Sequence, residues 1–387
     1  MNAHQEHIKG EIMLRMKYLV ISIVVMLFSI TAVSAQSSKL TIKPYGFIKL
    51  DMSHDSARTN NGNFAMWVND AAKSDNEFNM TARQTRIGVN FDYAEMNGKK
   101  VTGKFEFDLY NASPENKNAP MVRHAYMKVD YGKFYILAGQ TSDIFSPLVP
   151  NTVNYTVLWN AGNIGYRRPQ LQFVTKCKHG VEYAVALARN VAGDTDGIDG
   201  PDGDDSGLPM VQGRIQYGNS KWNAGISGHY GTMEFRNVAG DDDDYTTHSI
   251  NLHGSYAITD AISVKGEAFS GKTLDQFFGG AGQGFIYDSE EEFESSGGWI
   301  NAVYAASTNT TFNLGASADQ PKQIEKSLTT PLRDSNSCVY ANVFTKIAAN
   351  TTFGFEVSNW TTNYYDTAGY ENDNTNLRIQ TSFIMNF

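Results

Sequence analysis

Short and long polar connections alternate along most of this chain and separate stretches of about ten residues. The short connections lie at 95–99, 131–133, 178–180, 219–221, 259–261, 307–309 and 349–350. The longer ones lie at roughly 54–80, 111–120, 141–168, 191–207, 235–244, 272–295, 319–336 and 361–373. Short turns on one rim and long loops on the other are typical of an outer-membrane β-barrel, in which the short turns are periplasmic. A soluble two-layer sheet would not need this alternation of connections.

The stretches between the connections alternate between apolar and polar residues. In the last stretch, from Leu377 to Phe387, every second residue is largely apolar, whereas Arg378, Gln380 and Asn386 have the opposite parity. The same pattern recurs from Ile250 to Ile258. Period-two alternation indicates strands, and we expect one face of each strand to meet lipid and the other to meet water.

The number of these stretches predicts an all-β fold. About sixteen strands fit between the connections, an even number that leaves both chain ends on the periplasmic side. A transmembrane antiparallel β-barrel of about 16 strands encloses a water-filled lumen. We therefore expect residues 36–387 to form one barrel domain, with an exported soluble β-sandwich or β-helix as the alternative.

The N-terminus has the features of a secretory signal peptide. Met16–Gln36 has a basic start, an apolar run from Tyr18 to Ile30, and the small residues Val33 and Ala35 before a cleavage position. The apolar run is shorter than the roughly twenty residues that a spanning helix needs. We therefore predict that 1–35 is a signal peptide with an upstream extension, and the alternative is an N-terminal anchor or a buried helix.

Charge and cysteine content exclude some function classes. The formal net charge is -9, which disfavours nucleic acid as a partner because such proteins normally present a basic face. The barrel places Cys177 in a turn on one rim and Cys338 after a loop on the other, so we predict two free thiols.

Three of the long loops are acidic, at 194–205, 241–244 and 288–294. The first lacks the spacing of an EF-hand, so we predict solvated surface there, with no bound metal and no cofactor. Divalent ions that bridge these loops to lipid head groups remain an open alternative, as does a role as an adhesin or receptor that uses the loops.

One long connection differs from the rest. Residues 141–168 are apolar and aromatic, contain Pro147 and Pro150, and include Asp143 as their single acid. Such a cluster is rarely exposed to solvent. We expect this third extracellular loop to fold inward and to form the constriction of the channel.

Several segments resemble the DcaP-like trimeric porin family. They are, in chain order, YGFIKLD (Tyr45–Asp51), RQTRIGVNF (Arg83–Phe91), KFEFDLY (Lys104–Tyr110), RHAYMKV (Arg123–Val129), LAGQTSDIFS (Leu137–Ser146) and RRPQLQF (Arg167–Phe173). General porins of sixteen strands likewise fold their third loop inward after the fifth strand.

The resemblance implies a homotrimer of sixteen-stranded barrels in the outer membrane of a Gram-negative bacterium, each with a pore for small and often anionic solutes. The partners it implies are the lipid bilayer, lipopolysaccharide, and the barrel-assembly machinery, which recognises a C-terminal aromatic such as Phe387.

Strand parity assigns charges to the lumen. The predicted pore and solute-binding residues are Arg86, Lys104, Arg123, Arg214 and Arg378 on the strands, together with Asp143, Arg167 and Arg168 of the inward-folded third loop. The fourth strand is ambiguous, because Arg123 shares its parity with apolar residues and His124 shares its parity with Tyr126 and Lys128.

These residues predict a passive diffusion channel with a preference for anions such as small carboxylates, because rings of Arg or Lys favour anions. The alternative is that the arginines are tied to neighbouring acids for rigidity, since Glu106, Asp108, Glu267 and Glu356 share the lumen. No nucleophile elbow, zinc-protease motif or metal cluster is evident. We therefore predict that the protein is not an enzyme.

Overall fold

The computed structural model describes residues 40–70, 75–93, 95, 98–111, 115, 118–177, 180–195, 197, 200–237, 239–322, 332–365 and 372–387. The predicted signal peptide, 1–35, lies outside these ranges, so both the signal peptide and its cleavage stay predictions. Parts of the acidic loop at 194–205 also lie outside them.

The described residues form a closed antiparallel barrel. Its strands are β1 (Leu40–Asp55), β2 (Glu77–Thr81 and Arg86–Tyr93), β3 (Lys100–Asn111), β4 (Ala119–Asp130), β5 (Phe134–Ser142), β6 (Arg167–Lys176), β7 (Val181–Ala188), β8 (Met210–Gly218), β9 (Trp222–Arg236), β10 (Asp242–Ala257), β11 (Ile262–Lys272), β12 (Glu294–Ala305), β13 (Thr310–Pro321), β14 (Arg333–Ala348), β15 (Thr351–Tyr364) and β16 (Asn372–Asn386). The sheet has seventeen segments, two of which form β2, so the barrel has sixteen strands as predicted.

Every strand pairs antiparallel with its neighbours in the chain, and β16 pairs with β1 to close the ring. The closing register runs from Phe47 opposite Asn386 to Asp55 opposite Arg378. Closure leaves no unpaired sheet edge, which is the condition for a β-structure to span a bilayer.

The connections follow the predicted alternation of short and long. The two-residue turn between β14 and β15 contains Asn350 with a φ of 57°, and the β4–β5 turn contains Gly132 with a φ of 85°. Left-handed backbone is favourable for Gly and tolerated by Asn, which explains why these residues occupy tight hairpin turns.

Some long connections contain small elements of their own. The β1–β2 connection holds a hairpin of Thr59–Asn61 and Phe64–Val68, and the β7–β8 connection holds a short helix, Asp202–Asp205. The β11–β12 connection includes 3₁₀ turns at Asp275–Phe277 and Gly280–Gly282. Among the described residues, no helix is long and apolar enough to cross a membrane.

The two faces of the strands differ as the alternation predicts. On β10, Ile250, Leu252 and Tyr256 point outward and are at least half exposed, whereas Asn251 and His253 point inward and are buried. Inward polar side chains would be hydrated in an empty barrel. Their burial shows that much of the interior is occupied.

The β5–β6 connection occupies much of that interior. It begins with Ile144, whose backbone N–H donates to Gln212 on β8, and its Leu148 N–H donates to Glu267 on β11. Farther along, the Val153 N–H donates to Glu356 on β15. The connection therefore crosses the barrel and is held by the inner wall formed by β8 to β16.

Both cysteines are free, as predicted. Cys177 is exposed in the turn after β6, and Cys338 is buried on β14.

Candidate functional site

A cavity of about 290 Å³ lies between the β5–β6 connection and the inner wall formed by β2 to β6. Its lining includes three arginines and three aromatic side chains, namely Arg86, Arg123, Arg167, Tyr155, Trp159 and Tyr166. The first two arginines come from the wall, and Arg167 is the first residue of β6, where the connection rejoins the barrel. This cavity brings together residues that are distant in the chain.

The wall side of the cavity is a network of charges built on Glu106 and Asp108. Arg123 donates to Glu106 at 3.1 Å and to Asp108 at 2.6 Å. Arg86 lies 3.6 Å from Glu106 and 3.8 Å from Asp108. The ammonium of Lys104 lies 3.7 Å from Glu106. Each acid is thus shared between cations, which fixes the positions of the long basic side chains.

Cations and acids of this network differ in exposure. The side chains of Lys104, Arg86 and Arg123 are 26%, 19% and 12% exposed, whereas those of Glu106 and Asp108 are 4% and 0% exposed. The acids lie behind the cations. A solute at this wall would therefore meet guanidinium and ammonium groups first.

A β-bulge resolves the ambiguity of the fourth strand. The β3–β4 register pairs Glu106 with His124 and Phe107 with Val122, so Arg123 is an extra residue. A bulge of this kind changes the alternation locally and re-aims side chains. As a result Arg123 contacts Glu106, and His124 also faces the lumen, with its Nε2 atom 3.8 Å from the same carboxylate.

The loop side of the cavity is aromatic and closely packed. The Arg167 guanidinium lies over the ring of Tyr166 at 4.4 Å and near Trp159 at 5.8 Å. Trp159 in turn stacks on Phe278 of the β11–β12 connection, with 4.6 Å between ring centroids. These contacts hold Arg167 in one orientation, because its guanidinium has little room to move.

Tyr155 connects the loop to the charged wall. Its ring lies 4.0 Å from that of Tyr110, and its hydroxyl oxygen accepts a hydrogen bond from Arg123 Nη1 at 3.2 Å. Burial raises the pKa of the Tyr155 phenol, so the side chain stays neutral. It therefore positions Arg123 without cancelling its charge.

Asp143 and Arg168 form an internal pair. They lie 2.8 Å apart and are almost completely buried. Asp143 also accepts from Gln212 and from the Tyr166 N–H, while Arg168 donates to the Arg189 carbonyl and to Gln276. Asp143 borders the cavity, but both of its carboxylate oxygens already accept hydrogen bonds in these contacts. The pair holds the two ends of the connection together and leaves Arg168 inaccessible to a solute.

Arg214 and Arg378 lie apart from the cavity. Arg214 points inward from β8 and pairs with Glu182 at 2.7 Å, while its other nitrogen donates to the Ile144 carbonyl. Arg378 points inward as parity predicted, but its side chain is 1% exposed and pairs with Asp55 at 2.6 Å. The prediction that Arg378 lines an accessible pore is wrong, because the small hairpin within the β1–β2 connection covers it and its Nη2 atom donates to the Asn63 carbonyl.

Parity reasoning missed several contributors to this site. Tyr45 donates to Glu106 at 2.6 Å, and its ring lies under the Lys104 ammonium. The parity of Tyr45 along β1 could have identified it as a residue that faces the lumen. The contributions of Tyr155, Trp159 and Tyr166 could not be found in this way, because these residues lie in a connection without strand periodicity.

Among the described residues, no three or more His, Cys, Asp or Glu side chains are grouped so that they could hold a metal ion. The buried His229 contacts Ser249 and Thr247 and packs against Phe145. Each ring nitrogen of His229 therefore has a hydrogen-bond partner within the protein.

Comparisons with known proteins match this chain through its fold. No family model and no curated protein sequence matches it. Among solved structures, the outer membrane channel DcaP of Acinetobacter baumannii aligns over 91% of this chain and 99% of its own, with a TM-score of 0.76 and 17% identity.

Two further structures show the same architecture. An anion-selective porin from Comamonas acidovorans aligns over 90% of this chain and all of its own length, with a TM-score of 0.61 and 13% identity. The OmpF of Salmonella typhi, solved with daunomycin, covers 89% of this chain and 97% of its own, with a TM-score of 0.57 and 12% identity. The chain therefore has the sixteen-stranded barrel fold of porins.

Proposed function

We propose that this protein is an outer-membrane porin, a passive channel for small hydrophilic solutes that prefers anions such as small carboxylates. Its fold is that of solved outer-membrane porins and channels, including the DcaP channel. The outward faces of the strands carry exposed apolar side chains such as Ile250 and Leu314, which suit a lipid environment. We also propose a relationship with the DcaP-like family.

The observation that carries the anion preference is the unequal exposure of opposite charges at the cavity. Three arginines line it, Arg86, Arg123 and Arg167, and Lys104 lies beside them on the wall, which gives four cations against the two carboxylates of that wall, Glu106 and Asp108. Asp143 also lines the cavity, but Arg168 balances its charge, so the difference is two positive charges. The carboxylates are the more deeply buried partners. Exposed cations in a confined space of low dielectric raise the local concentration of anions.

The filled interior supports the restriction to small solutes. Glu267, Asn301 and Glu356 on the far wall are buried beneath the β5–β6 connection. The space that remains beside β2 to β6 is a cavity of about 290 Å³. We infer a narrow, off-centre path and therefore a conductance lower than that of a wide general porin.

The test is a reversal potential across a planar bilayer that contains the refolded protein, with a gradient of potassium chloride. A potential that shows chloride as the main charge carrier supports the proposal. Current carried mainly by potassium would overturn the anion preference while leaving the channel intact.

A folded, heat-modifiable barrel that passes no current would overturn the channel function itself. In that case a role as an adhesin or receptor, displayed through the long acidic loops, becomes the better hypothesis. We also propose that the protein is not an enzyme, because its sequence has no nucleophile elbow or zinc-protease motif, and the Ser249 hydroxyl that contacts His229 is buried together with that histidine.

Assembly is a further part of the proposal. We infer a homotrimer embedded in the lipid bilayer and lipopolysaccharide of the outer membrane, with Phe387 as the signal for the barrel-assembly machinery. The Phe387 side chain is 56% exposed. Chemical cross-linking in native membranes should give a ladder that ends at three subunits, and a ladder that ends at one subunit would contradict the trimer.

A further inference from the structure

A second long connection, between β11 and β12, also enters the barrel. Its Phe277 is 0% exposed. The Phe277 ring packs edge-on against Phe145 of the β5–β6 connection, with 5.0 Å between centroids, and lies 4.3 Å from the ring of His229 on β9. Because the side chain of His229 points inward, these contacts place Phe277 inside the barrel and against the β5–β6 connection.

Two backbone hydrogen bonds join the β11–β12 connection to the β5–β6 connection. The Asn160 N–H donates to the Phe278 carbonyl at 2.7 Å, and the Gly165 N–H donates to the Phe277 carbonyl at 2.8 Å. Backbone groups inside a protein need partners, and a segment outside the sheet has no ladder to supply them. Each connection therefore supplies partners to the other.

The ring of Phe278 contacts two aromatic residues of the cavity. It stacks on Trp159, with 4.6 Å between centroids and 24° between the ring planes, and meets Tyr166 edge-on at 4.8 Å. Trp159 and Tyr166 line the cavity, whereas Phe278 is not among its lining residues. Phe278 therefore supports the aromatic side of the cavity without itself facing a solute.

The backbone is strained where the two connections meet. Phe278 has a φ of 59°, and Leu158 in the β5–β6 connection has a φ of 68°. Left-handed backbone is unfavourable for a bulky side chain and persists only where surrounding contacts enforce it. Such residues cluster at functional sites. The contacts around Phe278 therefore hold its ring in place against a local backbone preference.

Hydrogen bonds fix the β11–β12 connection on both sides of Phe278. Before it, Arg168 donates to the Gln276 side chain at 2.8 Å. After it, the backbone N–H of Arg333 on β14 donates to the Gln283 side chain at 2.6 Å, and the Arg333 Nε atom donates to the Ala281 carbonyl. The segment that carries Phe278 is thus attached to the barrel wall and to the β5–β6 connection.

We propose that the β11–β12 connection is a second constriction element, and that Phe278 sets the size limit of the channel by positioning Trp159 and Tyr166. The inference rests on the proposed function, because a size limit requires a channel. The width of the path is then determined by two connections together, and the β5–β6 connection alone does not define it.

The experiment compares Phe278→Ala with the unchanged protein in liposome swelling with two neutral sugars, the monosaccharide arabinose and the trisaccharide raffinose. Removing the ring leaves a space that the surroundings fill only in part, so Trp159 and Tyr166 gain room to move. We expect the ratio of raffinose to arabinose swelling rates to rise several-fold. A loss of folded protein lowers both rates equally and leaves the ratio unchanged. An equal ratio in the two folded proteins would overturn the proposal.

The matched control is Phe285→Ala, the same replacement in the same connection. Phe285 stacks on Tyr245 of β10, with 4.2 Å between centroids, and packs against Phe235 of β9. The ratio should therefore stay that of the unchanged protein. A second variant, Phe278→Tyr, keeps the ring and should also keep the ratio. The same rise in Phe285→Ala or in Phe278→Tyr as in Phe278→Ala would overturn the specific role of Phe278.

Further measurements separate the possible failures. Because both sugars are neutral, cation preference in the reversal potential with a ratio that depends on Phe278 would refute the anion preference and keep the second constriction. If Phe278→Ala does not fold, Phe278→Gly replaces it, since glycine adopts left-handed backbone without strain.

If neither variant folds, amide hydrogen exchange of the unchanged protein decides. The N–H groups of Asn160 and Gly165 should exchange as slowly as those of the neighbouring strands, because both donate to the β11–β12 connection. Rapid exchange at both would show that the two connections are not joined and would overturn the proposal.

Discussion

The two sides of the barrel interior have the same strand pattern and opposite roles. On β11 and β15, the inward residues Glu267 and Glu356 are buried and accept hydrogen bonds from backbone N–H groups of the β5–β6 connection. On β2 and β3, the inward residues Arg86 and Lys104 remain partly exposed beside a cavity. One side stabilises the connection and the other borders a cavity.

The chemical difference between the sides explains this division. The connection presents backbone N–H groups to the far wall, and carboxylates satisfy them because they are strong acceptors. Guanidinium and ammonium groups have no acceptor and cannot bind an N–H group. Arg86 and Lys104 contact Glu106 of their own wall, and a cavity remains between this wall and the connection.

The largest expected effect comes from removing the two carboxylates that hold the connection. The double change Glu267→Ala and Glu356→Ala leaves the Leu148 and Val153 N–H groups without acceptors. The cost is about 2–6 kcal/mol of unfolding free energy for the two sites. We expect a lower midpoint in guanidinium chloride unfolding and a larger, noisier single-channel conductance.

The matched variant for this change is the double replacement by glutamine, which keeps one oxygen acceptor at each position. It should retain most of the stability and the small conductance of the unchanged protein. If the alanine variant has an unchanged conductance, the far wall does not hold the connection, and the contrast between the two sides is incorrect.

A similar loss of stability is expected from Arg378→Leu, with a different effect on transport. This change leaves Asp55 buried without its partner, which costs about 3–5 kcal/mol. Ion selectivity should not change, because Arg378 lies under the β1–β2 hairpin and away from the cavity. The double variant Asp55→Leu with Arg378→Leu should recover much of the lost stability, as measured by urea unfolding. A change of ion selectivity in Arg378→Leu would show instead that Arg378 lines the pore.

A smaller effect on stability and a clear effect on transport are expected from Arg86→Gln combined with Lys104→Gln. Removing two of the four cations cancels the difference of two charges over Glu106 and Asp108. The reversal potential in a chloride gradient should therefore move close to zero, the value of a channel that does not select between anions and cations. The control is Lys221→Gln in a periplasmic turn, and a similar shift in that control would argue against the cavity as the selective region.

The smallest effect is expected from modification of the cysteines. Cys177 is exposed and Cys338 is buried. A maleimide should label one thiol per folded chain and two after unfolding, with no change in conductance. Rapid labelling of both thiols in the folded protein would show that the interior near β14 is more open than described.

The neighbouring residues Arg167 and Arg168 show how far sequence reasoning reaches at the site. Both were predicted to line the pore, although strand alternation groups Arg168 with Gln170 and Arg167 with the outward Leu171 and Phe173. In the fold, Arg168 pairs with Asp143 and is fully buried, whereas Arg167 packs on aromatic rings beside the cavity. The difference arises from where Asp143 and Tyr166 lie at the two ends of the connection.

The sequence by itself determined the strands, the turns and the inward or outward direction of most side chains. The reason is that these features depend on local alternation and on turn residues such as Asn350. The direction of Arg123 could not be derived in this way, because a bulge interrupts the alternation at that residue.

Only the tertiary structure decided which inward side chains a solute could reach. Arg86 and Arg378 have equivalent positions in the alternation, but a hairpin from the β1–β2 connection covers one and a cavity adjoins the other. Coverage depends on where long connections pack after the barrel closes. That packing is a property of contacts between distant segments, which strand periodicity does not encode.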